Sequence, residues 1–283
     1  MKKIQTLLFT VLCGAIVGTA LQVSAQPSRP SRPCYATVVR IQGDVSYSLG
    51  DSNWHPLVAG KYLPPGASIR TGENGGADVV LGIAVNFPQA DTPSRIGLAP
   101  DAPVRGMISY KPTAEQNAIR LDQNSLLTID KLTTTDTGAD TVSDTELNLK
   151  QGSFFASVKK LSAAAQYIVK TPSGIIGVRG TQFSIVLNGN GTIQNVSVFH
   201  TTNDEGLILS MTSSSGSTVT QVVSEGQMYV NDSGSGKLIA IPASVIQELQ
   251  QAFSDLRTIY GLVSSFERDN TIIYESPDFG SHR

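Results

Sequence analysis

The strongest constraint on the fold is a series of about a dozen short segments in which apolar and polar residues alternate. Alternation with a period of two gives a strand one apolar face, and the Gly, Asn, Asp and Ser clusters between the segments form turns. The first two segments, residues 37–42 and 45–48, predict a hairpin that turns at Gly43. Further segments are residues 77–83, 119–121, 126–129, 147–149, 154–158, 167–170, 183–187, 192–199, 206–211, 218–223 and 228–230. The pattern predicts an all-β fold, as a multi-stranded sandwich, a barrel or a short β-solenoid.

Composition supports this prediction and narrows the function classes. Charged residues make up 16% of the 283-residue chain, whereas soluble globular proteins average about 25%. The formal net charge of −2 argues against a nucleic-acid-binding protein. Three histidines and two cysteines leave little material for a metal centre or a catalytic nucleophile.

The C-terminal region has a different periodicity. After Pro242, apolar residues recur at three- and four-residue spacing to about Arg268, which predicts one amphipathic helix of about 24 residues and about 36 Å. The stripe consists of Val245, Leu249, Ala252, Phe253, Leu256, Tyr260, Val263 and Phe266. It can pack on the β-domain or serve as a dimerisation or partner-docking helix. The remaining tail, from Asn270 to Arg283, is expected to be extended or disordered.

The N-terminus has the pattern of a secretory signal peptide. Lys2 and Lys3 precede an apolar run, and Val23-Ser-Ala25 provides a small-residue cleavage site. The alternative is an uncleaved anchor, but the run is shorter than the ~20 residues that span a bilayer. Cleavage after Ala25 takes the net charge from −2 to −4 and leaves Cys34 as the single cysteine, so no internal disulfide can form. We expect a soluble chain in the periplasm or secreted, with a Pro/Ser/Arg linker over residues 26–34.

Two stretches interrupt the strand pattern. Residues 86–117 contain Pro88, Pro93, Pro100, Pro103 and Pro112, and we interpret them as a proline-rich insertion, either a functional loop or a surface addition. Residues 133–145 are polar and predict an exposed hairpin loop. The expected domain order is a signal peptide (1–25), a linker (26–34), a β-domain (35–232) and a C-terminal helix with its tail (237–283).

The motifs for catalysis are weak. Asp136-Thr-Gly matches the aspartic-protease signature, but that chemistry needs two such aspartates in a buried cleft, and the residues that flank Asp136 are polar. His55, His200 and His282 are scattered. We therefore predict a non-enzymatic protein with no catalytic residues, no cofactor and no metal site.

The segment from Val169 to Phe183 is the most specific in the chain. Pro172 cannot donate to a strand ladder, and Gly174, Gly177 and Gly180 permit tight bends. Arg179 lies within this apolar corner and needs acceptors, which backbone carbonyls or an acid such as Asp78 can provide. We interpret Arg179 as a structural clamp rather than a ligand-binding residue.

The same segment resembles the signature of FecR-like periplasmic domains, Thr-Pro-x-x-x-x-Gly-Val-Arg-Gly-Thr-x-Phe. The matching positions are Thr171, Pro172, Gly177, Val178, Arg179, Gly180, Thr181 and Phe183. Weaker matches continue over the rest of the β-domain, at Gly43, Val45, Trp54, Pro56, Leu57, Gly60, Leu63, Gly66, Ile69, Arg70, Thr71, Gly72, Ala77, Leu147, Leu149, Gly152, Phe154, Val158, Lys160, Leu161, Glu225, Gly226 and Gln227. The resemblance implies an all-β domain. Founding members of that family are regulators that relay an iron-uptake signal to a cytoplasmic sigma factor, and they carry a cytoplasmic segment and a membrane span that are not expected here.

These observations predict an exported binding module that engages an envelope protein or a glycan. A first alternative is a structural or adhesive envelope component that self-associates, as a homo-oligomer through the C-terminal helix. A second is the periplasmic part of a signalling pathway. The expected docking surfaces are the proline-rich insertion, an exposed sheet edge or the helix. We expect no nucleic-acid partner and no membrane span in the mature chain.

Overall fold

The computed structural model describes residues 32–82, 110–111, 117–137, 141–202, 206–212, 217–232, 235–263 and 267–268. The predicted signal peptide, most of the linker, most of the proline-rich insertion and the C-terminal tail lie outside the described residues.

Twenty-one strands and one helix make up the described chain. The first strands are β1 (Arg32–Pro33), β2 (Tyr35–Gln42), β3 (Val45–Ser48), β4 (His55–Pro56), β5 (Tyr62–Leu63), β6 (Ser68–Thr71), β7 (Gly76–Gly82), β8 (Tyr110–Lys111), β9 (Asn117–Leu121), β10 (Leu126–Asp136) and β11 (Thr141–Gln151). The others are β12 (Ser153–Ser157), β13 (Gln166–Thr171), β14 (Gly174–Gly177), β15 (Thr181–Leu187), β16 (Ile193–Thr201), β17 (Leu207–Thr212), β18 (Thr218–Val223), β19 (Gln227–Asp232), β20 (Ser235–Ala240), the helix α1 (Ala243–Val263) and β21 (Glu267–Arg268).

These strands form two large sheets. The ten-stranded sheet has the order β18-β17-β14-β13-β11-β10-β6-β3-β4, and β1 pairs with the far part of β10. The nine-stranded sheet has the order β20-β19-β16-β15-β12-β9-β7-β2-β5. Within the described residues, neighbouring strands run antiparallel except for β11 and β13, which are parallel. The chain visits the two sheets in turn, so the strands of one sheet come to lie opposite those of the other.

The main hydrophobic core lies between the two sheets. Strand alternation explains it: in β11, Thr145, Leu147 and Leu149 are buried whereas the residues between them are partly exposed. Phe154 and Phe183, on neighbouring strands of the nine-stranded sheet, meet edge to face with ring centroids 5.9 Å apart. Each buried aromatic side chain stabilises the fold by about 1.5–3 kcal/mol. This arrangement is a sandwich, which resolves the choice among sandwich, barrel and solenoid and confirms the all-β prediction.

A second, smaller core lies on the opposite face of the nine-stranded sheet, where α1 packs. Leu249, Ala252, Phe253 and Leu256 are buried against this face. Their sheet neighbours in this core are Val39, Val80, Ala118, Phe155 and Met228. The predicted helix is confirmed, and its apolar stripe, as far as Leu256, packs on the β-domain. Because this sheet is covered on both faces, β7 is buried continuously from Ala77 to Leu81 rather than at alternate positions.

Three local features differ from the sequence-based expectations. Residues 133–145 are not an exposed loop: β10 runs to Asp136 and β11 starts at Thr141, because threonine favours strands and Thr134 pairs with Ser143. Residues 235–240 form β20, a strand that the pattern does not predict. The helix is described as far as Val263, and Arg268, where the predicted helix would end, instead pairs with Tyr110 in the short β8–β21 ladder.

Candidate docking surface

The predicted corner around residues 169–183 is built from β13, β14 and the start of β15. Gly180 has a positive φ of 69°, and its carbonyl accepts from the Thr202 backbone N–H at 2.8 Å and from the Thr202 hydroxyl at 2.9 Å. Arg179 Nη2 donates to the Ala163 carbonyl at 2.7 Å. This acceptor is a backbone carbonyl, one of the two kinds predicted. Arg179 thereby ties the corner to the segment that precedes β13.

Asp78, the other predicted acceptor, belongs to a different network on the nine-stranded sheet. Its carboxylate is buried and accepts from Arg40 Nε at 2.6 Å and from Arg120 Nε at 2.7 Å. Arg120 also reaches Asp255 of α1, with Nη1 and Oδ2 3.3 Å apart. These ion pairs join three strands of the sheet, β2, β7 and β9, to the helix. A sequence signal for them exists, since Asp78 and Arg120 each interrupt an otherwise apolar strand.

A cavity of about 680 Å³ opens beside this network. Charged groups on its wall are Arg40, Asp78, Arg120, Asp122, Glu248 and Asp255. Burial raises the pKa of Asp122, although the Ser153 hydroxyl donates to its carboxylate at 3.0 Å and opposes the shift. Both arginines already pair with carboxylates, and no three His, Cys, Asp or Glu side chains in the described ranges are placed to hold a metal ion. The geometry of this cavity therefore fits helix anchoring.

The ten-stranded sheet presents a different outer face, which no described element covers. The inward-pointing isoleucine of β14 and leucines of β17 are fully buried, whereas large apolar residues at alternate positions of β14, β17 and β18 point outward. Ile175, Ile208 and Val222 are 50%, 48% and 45% exposed. Ile208 lies between Gly177 and Val222 in the ladder, so these side chains form one surface. We call Ile175, Ile208 and Val222 the apolar patch.

A groove of about 340 Å³ adjoins the patch. Its floor is Gly177, with Ile168 and Ile208 on either side and Arg179 also on its wall. A Cβ at Gly177 would meet only the Ile208 carbonyl oxygen, at 3.9 Å. The groove therefore exists because this position of the family-like signature has no side chain.

The sheet edge next to the patch is β18, with the sequence Thr-Val-Thr-Gln-Val-Val. It contains no charged residue and no proline, and its neighbours β17 and β14 contain none either. Val219 is 54% exposed at this edge. Natural edge strands are normally protected from pairing by short length, proline, bulges or charged side chains, especially lysine.

The other three sheet ends carry such protection. β4 has two residues, one of which is Pro56. Next to β4, the guanidinium group of Arg70 stacks on the ring of Trp54, 4.2 Å from the ring centre. β5 has two residues, and β20 contains Lys237. Among the four ends, β18 is thus the one without any of these features.

The remaining sequence-based candidates do not converge on one place. His200 Nδ1 lies 3.2 Å from Glu225 Oε2, and His55 packs near Tyr47 with ring centroids 5.6 Å apart on the other sheet. His282 and the side chain of Asp136 lie outside the described residues. Of the three expected docking surfaces, the described residues contain an exposed edge and a helix whose apolar stripe, as far as Leu256, is covered by the chain itself.

Comparison with known proteins agrees with the signature. Residues 111–202 match the family model described as FecR protein. Two crystal structures of a candidate anti-sigma factor from Parabacteroides distasonis ATCC 8503 match with 15% identity and a TM-score of 0.33. The matches cover 50% and 54% of this chain and 60% and 72% of those chains. No curated protein matches the chain significantly. In the described ranges, no helix combines the length and apolar character needed to cross a membrane.

Proposed function

On the premise that residues 111–202 are a FecR-family segment, we propose that the protein is an exported, non-enzymatic binding module. It engages a protein of the cell envelope by strand addition at β18. In strand addition, an extended segment of the partner pairs with a free sheet edge, so backbone hydrogen bonds provide affinity and adjacent side chains provide specificity. The observation that carries the proposal is the unprotected β18 edge beside the apolar patch.

A protein partner fits this surface better than a glycan. The patch consists of aliphatic side chains, and the hydroxyls next to it belong to Ser210 and Thr220, which bond to each other at 3.3 Å. Sugar recognition needs several side-chain donors and acceptors, whereas a partner strand needs the backbone groups that an edge supplies. Depletion of charge is also typical of the centre of protein interfaces.

Export and domain order are part of the proposal. We place the start of the mature chain at Gln26, followed by the linker, the β-domain and the helix. N-terminal sequencing of the chain recovered from the periplasm or the culture medium tests this directly. A sequence that begins at Gln26 supports cleavage, and retention of Lys2 and Lys3 contradicts it.

Site-specific photocrosslinking of the full chain in its native host tests the docking surface. A photoreactive amino acid replaces Val219 at the edge or, as a matched control, Val58, which is 61% exposed and lies between β4 and β5. We expect protein adducts from position 219 and none of the same size from position 58. Equal labelling at both positions, or none at either, contradicts the proposal.

A role in envelope signalling is the second candidate function, and the FecR match favours it. Transcripts of cells that lack the chain, complemented with the wild-type protein or with Val222→Lys, test it. Signalling through the β18 edge requires that the wild-type protein restores a transcript set that Val222→Lys does not. An unchanged transcript profile in the deletion strain excludes this candidate.

A further inference from the structure

We propose that the strand which pairs with β18 is β18 of a second copy of this chain, in antiparallel orientation. The inference rests on the proposed function, because it names the partner of the same edge. It differs from helix-mediated self-association, in which the helix stripe would have to be free, whereas as far as Leu256 that stripe is buried against the nine-stranded sheet of its own chain.

The strand β18 can pair with a second copy of itself. A two-fold axis perpendicular to the sheet places each residue opposite one of the same face, so the outer face of one copy continues into the outer face of the other. Position 220 is near the middle of the strand, and its two copies lie opposite or diagonal to each other. Like charges in such positions are unfavourable, and β18 carries no charge.

The residues of β18 are also suited to cross-strand pairing. Five of the six are Thr or Val, and β-branched residues favour strands and make stabilising cross-strand pairs. Val219, which is half exposed in the single chain, would be covered by the second copy. Val222 and Ile208 of both copies would form one larger apolar surface around the two-fold axis.

The expected dimer is weak, because its interface is small. Pairing one strand of six residues buries less area than the ~1,200–2,000 Å² of stable complexes. The dimer is therefore expected to form in the micromolar range and to depend on concentration. Export and confinement in an envelope compartment would favour it by raising the local concentration.

A charge-swap experiment on the purified mature chain, residues 26–283, tests the proposal. Thr220→Lys and Thr220→Glu each place like charges across the two-fold axis and are expected to weaken self-association by at least about tenfold. An equimolar mixture of the two variants restores dimers, because Lys then faces Glu. Sedimentation velocity over a concentration series measures the dimer fraction, and amide hydrogen exchange shows whether β18 becomes protected in the dimer.

The controls separate this inference from the proposed function. Val58→Lys introduces the same charge on another exposed valine and should leave the dimer intact, and Val219→Lys provides a second edge variant. Thermal unfolding verifies that each variant is folded. A wild-type chain that stays monomeric at every concentration overturns the inference, and so does a dimer that the mixture fails to restore. Adducts from position 219 to a different envelope protein would then leave the proposed function standing.

Discussion

The two sheets of this molecule differ in whether a described element covers their outer face. The nine-stranded sheet is covered by α1, which buries Phe253 and Leu249 against it, and it is linked to the helix by Arg120 and Asp255. The ten-stranded sheet has the apolar patch and the β18 edge on its outer face, which no element within the described ranges covers and which we call the bare face. The packing of α1 on the covered sheet stabilises the fold. The bare sheet carries the surface that we propose for binding.

The largest expected effect compares matched truncations on the two faces. Phe253 stacks on Phe199 at 5.5 Å and meets Phe155 edge to face at 6.3 Å. Phe253→Ala leaves a cavity there and should lower the free energy of unfolding by about 3–4 kcal/mol. Ile208→Ala on the bare face should lower it by about 1 kcal/mol or less, since this side chain is already half exposed. Urea unfolding measures both, and equal losses would contradict the comparison.

The second comparison concerns ion pairs on the two sheets. Asp78→Asn leaves Arg40 and Arg120 with a neutral partner in a buried site, and we expect a loss of about 2–3 kcal/mol in the free energy of unfolding. Lys170 also bonds to two carboxylates, those of Glu146 at 2.7 Å and Asp130 at 3.2 Å, but on the bare face. Because exposed pairs contribute little, Lys170→Gln should leave the urea midpoint almost unchanged. A larger loss for Lys170→Gln than for Asp78→Asn would reverse the assignment.

The sequence predicts those features that depend on residues close together along the chain, and it does not predict those that depend on residues far apart. Alternation predicts strands such as β11, and the stripe predicts α1, because both patterns are local. The uninterrupted apolar run from Val79 to Leu81 also indicates a strand that is covered on both faces. The order of strands is not local, so the sequence does not reveal that β18 is an edge. The threonines at 133–135 were misleading, because a polar β-branched run suits a partly exposed strand as well as a loop.

The third prediction tests whether Arg179, which lines the groove on the bare sheet, is structural. Arg179→Ala removes the charged hydrogen bond to Ala163 and should cost about 1 kcal/mol, which lowers Tm by about 3 °C. Arg179→Lys keeps the charge and should recover part of the loss. Scanning calorimetry provides the measurement, and crosslinking at position 219 should persist in both variants. Unchanged Tm together with lost adducts would make Arg179 a binding residue instead.

The smallest expected effect concerns Asp122, in the cavity beside the covered face. In the folded chain, burial raises the pKa of Asp122 above its usual value of 3.8. The folded chain therefore takes up this proton at a higher pH than the unfolded chain does. The ionised carboxylate therefore lowers stability at neutral pH, and this penalty disappears as the pH falls through the raised pKa. Asp122→Asn should stabilise the protein slightly at pH 7 and give no gain below the unfolded pKa. Urea midpoints of the wild type and the variant from pH 7 to about pH 3.5 measure this difference. A gain that grows toward acid pH would show that the hydrogen bond from Ser153, and not burial, dominates at Asp122.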